Sequence, residues 1–224
     1  MIDLVVVGGG PAGLMTAVHA RLAGLEVAVL EHRAAPRDKA CGEGLMPDAV
    51  RRLHDVGVDP AGAALAGIAY VDDRREAVAR FTAGPGRGVR RTTLVAALEE
   101  RARDLGAQIV RCDAGTVVQG RRHVTVSGVT ARYAIAADGL HSAIRRQLGL
   151  QRAARGPRRY GVRQHLHVEP WTDLVEVHWT KDAEVYVTPV AHDLVGIAVL
   201  GTRPLSFRAA LGAAPELAAR LEGA

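Results

Sequence analysis

The run Ile2-Asp3-Leu4-Val5-Val6-Val7-Gly8-Gly9-Gly10-Pro11-Ala12-Gly13 decides how this chain folds. Its opening residues are apolar and rich in β-branched side chains, the pattern of a buried strand. Gly8, Gly10 and Gly13 follow in G-x-G-x-x-G spacing. Leu14 to Ala23 carries helical periodicity, and Val27-Ala28-Val29-Leu30 reads as a second buried strand ending at Glu31. Each glycine has its own task in such a strand–turn–helix unit. Gly8 makes the tight turn, Gly10 lets a ligand approach the backbone, and Gly13 lets the helix pack closely on the sheet.

The helix that starts at Pro11 and Ala12 presents free N–H groups and a positive dipole end, which suits a pyrophosphate. A glycine spacing alone also describes a bare structural turn. Here a strand precedes it, a helix follows, and an acid closes the second strand. Glu31, followed by His32 and Arg33, lies close to the ~20-residue interval at which an acid meets a ribose. Its carboxylate suits a free 2′-hydroxyl and repels a 2′-phosphate, so the expected ligand is FAD or NAD rather than NADP.

The chain has 224 residues, enough for one large or two intimate domains, and 48% are hydrophobic. The net charge of +5 comes almost wholly from scattered Arg, with Lys only at 39 and 181. Only 4% of residues are aromatic, too few for a base-stacking platform, so nucleic acid is not an expected partner. Cys41 and Cys112 form no disulfide framework, which fits a reducing cytoplasm. No apolar run has the length of a membrane span, and no targeting segment is expected before the first strand.

Further along, a helix is expected from Pro47 to Val56, stopped by Gly57. Ile68–Val71 and Ala77–Phe81 form an antiparallel pair around a charged turn, Asp72-Asp73 with Glu76. Thr92 or Thr93 is positioned to cap the next helix, with Leu94, Leu98, Ala102 and Leu105 on its inner face. Gln108–Cys112 reads as a strand in which Cys112 is a small hydrophobe, and Thr116–Val118 with His123–Val126 as a hairpin. Tyr133–Ala137 is expected to be a buried strand ending at Asp138-Gly139. From Arg158 the pattern alternates like an antiparallel sheet with one wet face, and Ser206–Leu221 is expected to be a helix.

Three motifs in order carry a resemblance: the glycine turn with Glu31, Arg91-Thr92-Thr93-Leu94 leading to Gly106, and Ala137-Asp138-Gly139-Leu140-His141-Ser142 with Arg145. Over residues 1–150 the chain resembles the FAD-dependent oxidoreductases of the aromatic hydroxylase and geranylgeranyl reductase group. The resemblance implies a Rossmann-like FAD-binding fold of the glutathione-reductase type with an antiparallel β-sheet substrate layer. It implies that Gly8, Gly10, Pro11, Ala12, Gly13, Glu31, His32, Arg33, Arg91, Asp138 and Gly139 hold FAD. It places Cys41 and Gly42 near the flavin ring, Cys41 as a candidate catalytic residue, and puts Tyr186 and His165 on the substrate side. By residue chemistry alone, Cys41 is either a thiol activated by Arg37 and Lys39 or an inert member of a glycine-shaped loop. The group's later Gly-Asp motif is not found before Ala224, so a fragment or a short form is expected.

The expected domains are 1–155, an FAD-binding unit with a small β insertion near 68–82; 156–203, the substrate-side sheet; and 204–224, a terminal helix. The expected activity is monooxygenation of a small organic substrate with NAD(P)H as donor. The alternatives are geranylgeranyl-reductase-like double-bond reduction and a non-catalytic nucleotide-binding remnant. An NAD-dependent dehydrogenase is disfavoured by the Arg91 and Asp138 motifs. His165, His167 and His178 could converge on zinc, but no nearby acid or cysteine has ligand spacing, so no metal is expected. Trp171 and Trp179 are expected to be packing residues. The oligomeric state is left open.

Overall fold

The computed structural model describes residues 1–113, 115–153, 155–202 and 206–221. In chain order the first elements are β1 (Ile2–Val7), α1 (Pro11–Leu22), β2 (Val27–Glu31), β3 (Gly44–Leu45), α2 (Pro47–Asp55), β4 (Ala63–Leu65) and β5 (Gly67–Val71). There follow β6 (Glu76–Arg80), β7 (Gly86–Gly88), α3 (Arg91–Asp104), β8 (Gln108–Arg111), β9 (Val117–Gln119), β10 (Val124–Val126) and β11 (Val129–Ala136). The last are α4 (Ala143–Gln147), β12 (Tyr160–Leu166), β13 (Leu174–Trp179), β14 (Ala183–Ala191), β15 (Leu194–Gly201), α5 (Phe207–Gly212) and α6 (Pro215–Arg220). Two compact units result, and the chain passes between them more than once. The first holds Met1–Arg37, Val56–Val58 and Thr92–Ala154; the second holds Asp38–Asp55, Asp59–Arg91 and Arg155–Ala224.

The first unit is built on a six-stranded sheet in the order β8-β2-β1-β11-β10-β9. Strands β8, β2, β1 and β11 run parallel, and β10 and β9 return antiparallel. A parallel sheet is covered by helices on its faces, so its strands are continuously apolar. Leu4 to Val7 and Val27 to Leu30 accordingly show no polar alternation and are all buried. Val5, Val7 and Leu30 join Ile144 of α4 in one cluster, and Cys112 packs against it as a partly buried side chain.

Tyr133–Ala137 departs from the expectation of a buried strand. It extends β11 inside the sheet, yet Tyr133 is 63% exposed and Ile135 40%. The reason lies in the pairing. β10 bonds only to Val129, Thr130 and Ala131, so Arg132 to Ala136 have β1 on one side and no strand on the other among the described residues. Helix α3 also starts earlier than expected, at Arg91, which leaves Thr92 and Thr93 in its first turn rather than at a cap. Its buried face is Val95, Leu98, Glu99 and Ala102.

The second unit has a six-stranded sheet, β12-β15-β14-β13-β5-β6, and a three-stranded one, β3-β7-β4. The pair β5–β6, expected as an insertion in the first domain, is the edge of the larger sheet, because β5 pairs in parallel with β13. One face of this sheet is apolar: Val185, Val187, Ile197 and Val199 are covered by Ala210, Ala214 and Leu217. The expected terminal helix is two helices, α5 and α6. Pro215 has no N–H and disfavours helical geometry in the residue before it, and Ala214 sits at φ −127°, ψ 74°. The expected positions 204–205 and 222–224 lie outside the described residues.

Glu176 lies on the helix-covered face beside Val187, and it accepts bonds from Trp171 Nε1 and His178 Nε2, both at 2.9 Å. Trp171 packs as expected, whereas Trp179 is 58% exposed. Burial pushes the Glu176 carboxyl up, but the His178 and Trp171 hydrogen bonds pull it below its ordinary range. A depressed carboxyl contributes stability above its unfolded pKa and loses it as pH falls through the folded value. Glu176→Gln is therefore expected to lower stability at pH 7 by roughly 1–2 kcal/mol, with the deficit closing below about pH 4. Urea denaturation midpoints between pH 3 and pH 7 check this, and a pH-independent deficit contradicts it.

Candidate functional site

The sequence-predicted residues form one constellation in each unit. In the first, β1, β2 and β11 end together. Gly8 donates its N–H to Leu30 O at 2.8 Å, and Ala137 donates to Val7 O at 2.7 Å. Gly8 has φ +107°, and a Cβ there would lie 2.3 Å from Ala137 O, so only glycine makes this exit. A Cβ on Gly13 would lie 1.9 Å from Gly8 O, which is why α1 packs so closely on the turn. Gly10 precedes α1 without a side-chain cap, and Pro11 stands in the first turn. The helix start thus keeps backbone donors for an anion.

Glu31 is 7% exposed. Its Oε2 accepts the Gly9 N–H at 2.7 Å and its Oε1 accepts the Arg33 N–H at 2.8 Å. His32 is exposed, with Nδ1 3.3 Å from Glu31 Oε1. The residue that completes this grip is Arg37, read from the sequence only as a possible neighbour of Cys41. It is buried, it donates from Nε to Gly9 O at 3.1 Å, and it pairs with the buried carboxylate of Glu99. The other Glu99 oxygen takes Arg103 at 2.6 Å. Desolvation pulls the Arg37 pKa below its ordinary value.

Asp138 turns its carboxylate to its own helix start, accepting from Ile144 N at 3.2 Å. Burial pushes its pKa up, but hydrogen bonds from the Ser142 hydroxyl and nearby backbone N–H groups hold it below the usual range. Ser142 caps α4 by accepting from Arg145 N at 2.9 Å, and Gly139 takes φ +84°.

In the second unit the centre is Glu43, which the sequence reading passed over. Its side chain is 1% exposed. Oε1 accepts from Arg91 N at 2.8 Å and from Arg163 Nη1 at 2.6 Å, and Oε2 lies 2.6 Å from His165 Nε2. Arg163 also reaches Asp38 Oδ2 at 2.6 Å. Thr188 Oγ1 donates to Gly42 O at 2.8 Å, and the Glu43 N–H points to Cys41 Sγ at 3.4 Å. The Nε atoms of Arg91 and Arg163 are buried without a partner among the described residues.

Register places His165 beside Gly196 and Gly196 beside Thr188, and Arg163 beside Ala198, itself next to Tyr186. Tyr186 lies beside Val177, and Val177 beside Tyr70. These residues share the face opposite the terminal helices, where Leu65 packs on Val175 and Val177 and where Tyr70 and Trp179 stay exposed. The Tyr186 hydroxyl donates to Glu184. Burial and the Glu184 carboxylate push its pKa up to about 12, so it remains a phenol and can serve a ligand only through its oxygen lone pairs. His165 and His178 do not converge: they lie on opposite faces, His178 is held by Glu176, and β12 and β13 are not neighbours. Among the described residues no cluster of His, Cys, Asp and Glu is arranged to hold a metal ion. No described helix is long and apolar enough to cross a membrane.

Comparison with known proteins follows the same lines. The family description "FAD binding domain" matches residues 1–210. Menaquinone reductase of Mycobacterium tuberculosis is 34% identical over 170 residues, covering 66% of this chain and 40% of the relative. Dialkyldecalin synthase of Streptomyces rugosporus is 31% identical over 217 residues, covering 88% and 46%. Rifampicin monooxygenase of Streptomyces venezuelae is 34% identical over 173 residues, covering 67% and 34%. The chain thus spans less than half the length of these relatives. The solved halogenase PltM, in complex with phloroglucinol and FAD, has the same fold at a TM-score of 0.81 and 18% identity, covering 99% of this chain and 58% of that one.

The Arg37–Glu99 contact yields a stability prediction. Arg37→Met leaves Glu99 with only the exposed Arg103 and is expected to cost on the order of 3 kcal/mol. Arg37→Met with Glu99→Gln is expected to cost less than the sum of the single changes. Urea unfolding of the three variants measures this, and strict additivity contradicts the pairing.

Proposed function

The chain belongs to the FAD-binding-domain family of flavin-dependent oxidoreductases, and on that premise we propose that it is the cofactor- and substrate-binding part of an oxidoreductase of monooxygenase type. Its substrate is a small organic molecule, and NAD(P)H is the electron donor. One observation carries its cofactor half: the uncapped α1 start, with Gly9 held between Glu31 and Arg37.

The donor set fits FAD. In the turn Gly10-Pro11-Ala12-Gly13 the free N–H groups of Ala12 and Gly13 take the pyrophosphate; Pro11 has none to give, and the Leu14 N–H is spent on Gly10 O. Glu31 takes the adenosine ribose, and His32 and Arg33 flank it. Asp138 and Gly139 shape the turn after β11 toward the same phosphates. Arg91 is assigned to the cofactor on the resemblance alone. Bound FAD would supply the redox chemistry. The residues themselves orient and exclude water rather than act as strong acids or bases. Tyr186 offers an acceptor to substrate, and Tyr70 and Trp179 offer apolar contact. The Cys41–Gly42 segment is bonded by the Thr188 hydroxyl and by the Glu43 N–H.

Double-bond reduction is the second reading. It is favoured by the segment Cys41-Gly42-Glu43-Gly44-Leu45, which resembles the cysteine-glycine loop of the geranylgeranyl reductase branch, and by the reductase among the relatives, 34% identical over 170 residues. The test begins with the 224-residue chain and added FAD. Quenching of flavin fluorescence, weakened about tenfold by Glu31→Gln, is the expected result. A chain that takes up no FAD overturns the proposal. With FAD loaded and NAD(P)H supplied, a product carrying an atom of labelled O₂ supports monooxygenation. A substrate that gains two hydrogens and no labelled oxygen transfers the assignment to the reductase reading.

A further inference from the structure

Glu43 occupies a backbone position that favours glycine. Its φ is +59°, in the left-handed region, where an ordinary residue is strained by about 1–2 kcal/mol. Such a residue persists only where its surroundings over-determine it. Here they do so through both the side chain and the backbone. Arg163 and the Arg91 N–H converge on Oε1, and His165 on Oε2. The Glu43 carbonyl accepts from Val89 N at 2.8 Å. Strand β15 carries Gly196 opposite the carboxylate, and a Cβ there would lie 2.9 Å from Oε2. The sheet leaves that space for the acid.

A carboxylate that already accepts from Arg163 and from a backbone N–H is an acceptor toward His165 as well, so Nε2 carries the proton. In the neutral form of the ring, Nδ1 is then a lone pair. We propose that Glu43 is a positioning residue. Its carboxylate fixes His165 as the Nε2–H tautomer, with Nδ1 offered to a hydrogen-bond donor on the substrate, and by anchoring residue 43 it holds in place the backbone N–H that meets Cys41 Sγ. The role deepens the oxidoreductase reading and rests on it, since it presumes that the face bearing His165 and Tyr186 meets substrate.

The test needs no turnover. The chain is labelled with ¹⁵N-histidine, His165 is assigned by loss of its signals in His165→Gln, and its tautomer is read from the ring nitrogen shifts. Iodoacetamide labelling of Cys41, quantified by peptide mass spectrometry, reports the turn. The variants are Glu43→Gln and Glu43→Gly, the latter suited to the left-handed backbone. In the wild-type chain, at a pH that leaves the ring neutral, a single Nε2–H tautomer and slow alkylation are expected. In both variants the tautomers mix, and alkylation rises roughly tenfold, because the charged hydrogen bonds to Arg163 and His165 that anchor residue 43 beside Cys41 are lost. Either readout unchanged in both variants overturns the proposal. So does unfolding of both by near-ultraviolet circular dichroism, which would make Glu43 a folding residue only. Failure of the oxidoreductase reading is distinct: FAD is not taken up while the histidine signature stays intact.

Discussion

The peptide at Gly9 is held from both sides by buried charge. Glu31 takes its N–H, and Arg37, itself neutralised by Glu99, takes its carbonyl. A glycine turn has little conformational preference of its own. Without these two contacts, the backbone between β1 and α1 would sample many geometries and present no ordered row of donors. The helix start can serve an anion because the turn before it is fixed. The energy for this comes from the parallel sheet, whose buried Val and Leu side chains place the ends of β1, β2 and β11 together.

The second unit uses the same device on a different scaffold. Glu43 is a buried acid that gathers an arginine, a histidine and a backbone N–H around a turn containing glycine. In both units a carboxylate removed from water is satisfied on each oxygen, which keeps the burial from being prohibitive. The terminal helices cover the opposite face of the larger sheet. The other face carries Arg163, His165, Tyr186 and Tyr70.

Local features were legible in the sequence. The glycine spacing, Glu31 at the end of β2, the hairpins and the alternation after Arg158 are set by neighbours in the chain, and the structure has each of these elements. What the sequence hid depends on long-range pairing. Arg37 meets Glu99 across 62 positions, and Glu43 meets Arg163 and His165 across 120 and 122. No periodicity reports such contacts. The membership of β5 in the larger sheet was hidden for the same reason, because its partner β13 lies far along the chain. The exposure of Tyr133 and Ile135 follows from where β10 stops pairing, which composition does not encode. The break between α5 and α6 was visible at Pro215, and the Ala/Leu-rich pattern around it obscured the signal.

On the proposed function, the turn and Glu31 recognise an adenosine with a free ribose 2′-hydroxyl. Isothermal titration of the chain with ADP-ribose and with 2′-phospho-ADP-ribose tests it most directly. At least about tenfold tighter binding of ADP-ribose is predicted, since the 2′-phosphate would face the buried Glu31 carboxylate. Equal binding of the two, or a preference for the phosphorylated ligand, would contradict it.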